Sequence, residues 1–190
     1  MEDFYEIFLA IELDEFIKNS ISKLQHTLKS TGSAKIKYVE TENIHLTLKF
    51  FGDVDNKKLE EIDEVINKTV KEFRPYILKV VNVGTFPRSN NPRVVWCGVK
   101  DKEKVTINLI KSLDNEFSNI GFKKEKSYQP HITLGRVKSI QERENLSSTL
   151  KQQKNKYFGK MSITSIKLKS STLTPDGPIY KTIREYELGE

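Results

Sequence analysis

The sequence is poor in residues that carry special chemistry by themselves. Cys97 is its one cysteine, so an internal disulfide is excluded and a reducing compartment fits. Within "RVVWCGVK" that thiol reads as a small buried hydrophobe on a strand. No apolar run approaches the ~20 residues a bilayer-spanning helix needs, so no membrane partner is expected. The segment "MEDFYEIFLAIELDEF" is acidic, with neither a basic n-region nor a small-residue cleavage site. No signal peptide is read there, and a cytoplasmic location is expected. Nothing is low-complexity, and no Gly/Ser- or Pro-rich linker cuts the chain. Histidine occurs only three times.

What is present reads as a globular chain. Hydrophobic residues make up 36% and charged residues 31% of 190 positions, a length that buries roughly 70% of the unfolded surface. The net charge of +6 is unevenly spread. Positions 1–20 hold six acids and one lysine, whereas positions 121–170 hold twelve Lys/Arg against three Glu. Such a basic region attracts a polyanion, with binding that weakens in salt.

Periodicity predicts interleaved strands and helices. "FYEIFLAIEL" alternates as a strand over 4–12. Apolar residues at 16, 17, 21, 24 and 28 then follow helical spacing, from Asp14 as N-cap to Gly32 as stop. "KIKYVE" and "IHLTLKFFG" read as strands separated by the turn "TEN". Leu59, Ile62, Val65, Ile66, Val70 and Phe73 form one stripe of an amphipathic helix. "YILKVVNVG" and "RVVWCGVK" read as strands around the loop "TFPRSNNP", and "KVTINLIKSLDNEFSNIG" as a helix ending at Gly121. "HITLGRVK" is a strand and "SIQERENLSSTLKQQ" a shorter helix. "MSITSIKLKSSTL" reads as one long strand, joined by the turn "TPDGP" to the last strand, "IYKTIREYEL". Frequent hairpin-like neighbours favour α+β with largely antiparallel sheets over a doubly wound sheet.

Two of the three histidines sit in one frame, "NIHLTLKF" at 43–50 and "PHITLGRV" at 130–137. Residues i and i+2 of a strand share a face. His45 and Thr47 therefore share a polar face, with Leu46, Leu48 and Phe50 expected in the core. His131 and Thr133 repeat this, with Ile132 and Leu134 opposite. Two imidazoles with an ordinary pKa near ~6.5 can divide acid and base duties around one phosphodiester. One deprotonates the attacking hydroxyl or water and the other protonates the leaving oxygen, while the threonines donate to the non-bridging oxygens. Spacing does not say which imidazole is the acid. His26, in the helical "QHTL", is expected to be exposed. A metal site would need a third protein ligand. The motif strands supply none at a recognisable spacing, Asp53 being merely the nearest acid, so no metal and no cofactor are expected.

These motifs have family-like flanks: "YVETENIHLTLKFFGDV", "VGTFPRSNNPRVVWCGV", "GFKKEKSYQPHITLGRVK" and "SSTLTPDGPIYKTIREYEL". Together they resemble the 2H phosphoesterases, specifically the RNA 2′,3′-cyclic phosphodiesterases, historically called 2′-5′ RNA ligases. The resemblance covers most of the chain. It implies a single bilobal domain over 1–190: an α+β fold of two pseudo-symmetric lobes of largely antiparallel sheet, with outer helices around a central cleft. It makes His45 the proton donor and His131 the proton acceptor, with Thr47 and Thr133 contacting the phosphate. Arg136 takes the place of a basic residue kept after the second motif. Strict alternation sets Arg136 on the Ile132 face, so its role needs a twist, a bulge or a long reach. Tyr128 and Phe86 are candidates for stacking on a base. Pro130 holds Gln129 extended. The implied reaction is metal-free, cofactor-free opening of RNA 2′,3′-cyclic phosphate ends to 2′-phosphomonoesters, by a monomer whose partner is such an RNA. The alternatives are 2′-5′ joining of RNA halves by the same residues and a non-catalytic RNA-binding module.

Overall fold

A computed structural model describes residues 5–88, 91–175 and 177–190. Positions 4, 89–90 and 176, where the first strand's start and parts of the "TFPRSNNP" and "TPDGP" turns are expected, lie outside the described residues. The elements in the first part of the chain are β1 (Tyr5–Glu12), α1 (Glu15–Ser30), β2 (Ala34–Tyr38), a 3-10 turn (Thr41–Asn43), β3 (His45–Val54), α2 (Asn56–Val70) and β4 (Tyr76–Phe86). Then come β5 (Val94–Lys100), α3 (Val105–Asn119), β6 (His131–Ile140), α4 (Arg143–Gln153), β7 (Tyr157–Ile163), β8 (Ser165–Thr174) and β9 (Gly177–Glu187).

The helices form where the apolar spacing puts them. In α2, Ile62, Ile66 and Val70 are buried one turn apart, and Asp55 caps the first turn by accepting from the Lys58 N–H at 2.7 Å. Such a cap stabilises a helix by about 1 kcal/mol. In α1, Ile17, Ile21, Leu24 and Leu28 are buried, and Gly32 beyond its end adopts φ +63°. Burial of each such side chain contributes roughly 1.5–3 kcal/mol, and the helices hold mainly through these faces.

Two antiparallel sheets result, ordered β3-β1-β8-β9 and β2-β6-β5-β4-β7. Helices α2 and α3 pack on the first, against β9 and β3; α1 and α4 pack on the second, with α1 against β2 and β7 and α4 against β4. The chain therefore passes repeatedly between the lobes, and neither lobe is one half of the sequence. β1 shows how a strand serves both sides. Ile7, Leu9 and Ile11 enter the helix-covered core, whereas the Phe8 ring lies against His45 on the other face.

One expectation is corrected. "MSITSIKLKSSTL" is two strands, β7 and β8, which belong to different sheets. The chain leaves one sheet at Thr164, whose carbonyl accepts the Leu188 N–H at 2.8 Å. Period-2 alternation continues through this corner, so no compositional break marks it. Among the described residues no helix is long and apolar enough to cross a membrane.

Candidate active site

On β3, His45 lies opposite Glu12 and Thr47 opposite Ala10 of β1. The His45 Nδ1–H donates to the Asn43 carbonyl at 2.7 Å, because a carbonyl can only accept. Nε2 is left facing the Thr47 hydroxyl at 2.9 Å. Phe8 lies under the ring at a centroid distance of 4.9 Å, and Tyr180 of β9 meets it edge-on at 5.4 Å. Asn43 also donates from Nδ2 to the Pro178 carbonyl at 3.1 Å, tying the β8–β9 hairpin to the segment that holds His45.

On β6 the same device recurs. The His131 Nδ1–H donates to the Gln129 carbonyl at 2.7 Å, again the residue two positions back. Phe86 meets the His131 ring edge-on at 5.0 Å, and Trp96 lies 6.3 Å away. Trp96 is opposite Thr133 on one side and Gly84 on the other. A Cβ at Gly84 would stand 2.2 Å from Trp96 Cζ2, so glycine there is what lets the indole lie flat.

Both strands bulge just after the motif. In the β1–β3 register Leu48 is passed over between Thr47 and Lys49, and in the β5–β6 register Leu134 is passed over between Thr133 and Gly135. One extra residue reverses the alternation. Phe50 therefore leaves the core expected for it: it is 63% exposed and lines the cleft. Arg136, at the equivalent position, turns to the His131 face and lines the same cleft. Each bulge is pinned by a buried polar side chain. Gln25 of α1 donates from Nε2 to the Val39 and Leu134 carbonyls at 2.8 and 3.0 Å. Lys49 donates to Asp114 Oδ1 at 2.7 Å, to the Lys123 carbonyl at 2.9 Å and to Glu125 Oε1 at 3.0 Å.

His45, Thr47, His131, Thr133 and Arg136 thus line one cleft of about 600 Å³ between the sheets. The chain matches the family model for LigT-like phosphoesterases over residues 11–96 and 99–180. It belongs to that family. An RNA 2′,3′-cyclic phosphodiesterase of Methanothermobacter thermautotrophicus is 42% identical over 181 residues, 95% of this chain and 97% of the relative. One from Methanocaldococcus jannaschii is 44% identical over 180 residues, 95% and 99% of the two chains. In fold it resembles a crystal structure of a Thermus thermophilus protein, with TM-score 0.81, 23% identity, and 97% and 99% of the chains covered. Escherichia coli LigT complexed with 3′-AMP gives TM-score 0.76 at 22% identity, covering 99% and 100%.

In this LigT-like phosphoesterase the two imidazoles sit in different electrical surroundings. Burial holds the His45 pKa below its ordinary value; Lys169 and Lys18 push the same way, while the Asn43 carbonyl and Glu12 oppose them. Glu12 accepts from Lys18 at 2.7 Å and from Lys169 at 2.6 Å, forming a three-residue ionic cluster behind the ring. Burial alone would raise the Glu12 carboxyl, but its hydrogen bonds to Lys169 and Lys18 win and hold it below its ordinary value. His131 lies at the more open end of the cleft, between Phe86 and the Gln129 carbonyl.

Of the stacking candidates, Phe86 lines the cleft against His131 and Trp96. Tyr128 also lines it, with its hydroxyl donating to Asp114 Oδ2 at 2.8 Å. His26 is exposed on α1, and Cys97 is buried, its thiol pKa pushed up by that burial. Among the described residues no group of three or more His, Cys, Asp and Glu side chains is placed to hold a metal ion. Sequence patterning does not single out Gln25, Lys49, Trp96, Glu12 or Tyr180. Two traces of this arrangement are nonetheless written there: a lysine at 49 inside an apolar strand, and a glycine at 135 inside another, which commonly marks a bulge.

Proposed function

We propose that this chain hydrolyses the 2′,3′-cyclic phosphate ends of RNA to 2′-phosphomonoesters by metal-free acid–base catalysis between His45 and His131. The observation that carries this reading is the repeated tether. Each imidazole gives its Nδ1–H to the carbonyl two residues back, which leaves both Nε2 atoms free for proton transfer in one cleft. Kinship with RNA 2′,3′-cyclic phosphodiesterases supports the substrate.

In the reaction, His131 Nε2 takes a proton from water as its oxygen attacks phosphorus. The bond from phosphorus to the 3′ oxygen breaks, and that oxygen takes the proton from His45 Nε2. Assigning donor to His45 and acceptor to His131 follows the family resemblance. Thr47 and Thr133 donate to the non-bridging oxygens, and Arg136 adds positive charge where negative charge builds. In the free protein the charged His45 would rest its Nε2–H on the Thr47 hydroxyl, 2.9 Å away. Phosphate arriving beside Thr47 favours that charged form, against the desolvation that disfavours it.

The test is turnover of an RNA oligonucleotide ending in 2′,3′-cyclic phosphate by His45→Ala and His131→Ala. Each loses about 10²–10⁴-fold in kcat while binding of the 2′-phosphate product, read by calorimetry, persists. Unchanged turnover in either variant rejects the mechanism, and abolition by EDTA in the wild type rejects the metal-free chemistry. Scoring joined products from RNA halves in the same reactions separates hydrolysis from 2′-5′ joining.

A further inference from the structure

The wall of the cleft beyond Arg136 carries charge that the two-histidine reaction does not use. Lys37 of β2 is the direct cross-strand partner of Arg136, and both line the cleft. Like charges directly opposite each other destabilise a strand pair. Lys138, two residues further along β6, is the residue passed over where Lys35 pairs with Ser139 and Ile36 with Val137, and it lines the cleft as well. Among the described residues none of these three cations forms an ion pair. The cleft's carboxylates are Glu125, ion-paired with Lys49, and Glu40, at the start of the 3-10 turn. Three unpaired cations thus face one unpaired acid.

The row also has a direction. At about 3.3 Å per residue, Arg136 lies roughly 10 Å and Lys138 roughly 17 Å along β6 from Thr133. It therefore leads away from the place where the cyclic phosphate would sit. Local repulsion at a site open to solvent is relieved when an anion binds, and violations of packing rules concentrate at functional sites.

We propose that Lys37 and Lys138 form a subsite for the phosphodiester on the 5′ side of the terminal nucleotide, making an RNA oligomer the preferred substrate over a cyclic mononucleotide. This rests on the hydrolase reading above. The terminal nucleotide reaches the histidines through its cyclic phosphate. The next phosphate, one ribose away, meets the lysine pair, which recognises charge without reading base identity.

The experiment compares 2′,3′-cyclic AMP with a short RNA oligomer ending in 2′,3′-cyclic adenylate, using wild type, Lys37→Ala, Lys138→Ala and the double variant. Lys68→Ala, on the exposed face of α2, controls for loss of surface charge. The ratio of kcat/KM for the oligomer to that for the mononucleotide falls roughly three- to tenfold in the double variant. The slope of log(kcat/KM) against log[salt] for the oligomer becomes shallower by about 0.7 per phosphate released. Wild type that turns over neither substrate overturns the hydrolase reading itself. Wild type active on both, with the ratio preserved in the double variant or reduced equally by Lys68→Ala, overturns only the subsite. A lowered ratio with the wild-type salt slope also overturns it, because the lysines would then act through shape and not through charge.

Discussion

Replacing Lys49 with methionine should cost this protein a large part of its stability. The Lys49 side chain is 6% exposed and its partner Asp114 is 2% exposed, with 2.7 Å between charged atoms. Methionine keeps most of the length and removes the charge. Asp114 would keep two donors, the Glu125 N–H at 2.9 Å and the Tyr128 hydroxyl at 2.8 Å, but lose its one ion-pair partner. Breaking a buried pair from one side costs about 3–5 kcal/mol because the other charge stays desolvated. Here the lower end applies: the pair lies under a single loop whose Glu125 side chain is 54% exposed, so water approaches closely. About 3 kcal/mol is a large share of the 5–15 kcal/mol typical of a domain. Urea denaturation, followed by the fluorescence of the single tryptophan, Trp96, measures it.

The pH dependence of that loss has a definite sign. Burial would raise the Asp114 carboxyl, but Lys49 and the other donors hold it below its ordinary value. Burial would lower the Lys49 ammonium, but its hydrogen bonds to Asp114 and Glu125 hold it above its ordinary value. The carboxylate's contribution is present above its unfolded pKa of about 3.9 and vanishes as pH falls through the depressed folded value. The ammonium's contribution is present below about 10.4 and vanishes as pH rises through the elevated folded value. The difference between wild type and Lys49→Met is therefore flat from about pH 5 to 9 and shrinks in acid. Adding Asp114→Asn to Lys49→Met recovers part of the stability, because no buried charge is then stranded. A cost under about 1 kcal/mol, or one just as large at pH 3 as at pH 7, refutes this reasoning.

The cluster behind His45 gives a test with two opposite signs: Glu12→Gln lowers the His45 pKa further by leaving Lys18 and Lys169 uncompensated, and Lys169→Met raises it. Imidazole resonances followed by NMR across pH read both, and shifts of the same sign in the two variants contradict the electrostatic account. Gln25→Leu leaves the Val39 carbonyl without its side-chain donor and costs about 1–3 kcal/mol, measured by urea denaturation. It also lowers kcat on cyclic-phosphate RNA, since the turn that aims Arg136 loses its brace; wild-type stability with wild-type kcat contradicts that role.

The parts of this molecule that obey local periodicity are legible in its sequence. The stripe Ile62–Ile66–Val70 places α2, and the shared frame of His45–Thr47 and His131–Thr133 places four side chains on two cleft-facing strand surfaces. Legibility fails where one residue breaks the period. Alternation carried through Leu48 puts Phe50 in the core, and the bulge there has no compositional mark. The same step puts Arg136 on the wrong face, although Gly135 is a clue. A Cβ at 135 would stand 2.7 Å from Ile36 Cγ2 and 2.9 Å from the Lys37 carbonyl, so only glycine lets β2 come that close. The switch of sheets at Thr164 is illegible because both strands bury alternate residues in the same phase. Gln25 and Lys49 act through contacts 109 and 65 residues away, a range over which no local pattern carries information.

The two halves of the cleft share a backbone device and differ in what surrounds it, and that difference is what an acid–base pair requires. In each, a strand presents His-x-Thr, the ring is oriented by the carbonyl two residues back, and a bulge after threonine turns the fifth residue beyond histidine into the cleft. The repeated frame alone would yield two similar imidazoles with no reason to divide the work. The surroundings break the symmetry. His45 sits over buried Phe8 beside a Glu–Lys–Lys cluster, whereas His131 sits between Phe86 and Trp96 with no carboxylate opposite it on β5, where its partner is Gly98. Turned-in residues differ too: Phe50 offers an apolar face and Arg136 a charge. A bound nucleotide is thereby oriented, phosphate toward the arginine side and an apolar ring toward Phe50. Pairs of titratable groups whose environments push them apart are how a single cleft runs both proton transfers at one pH.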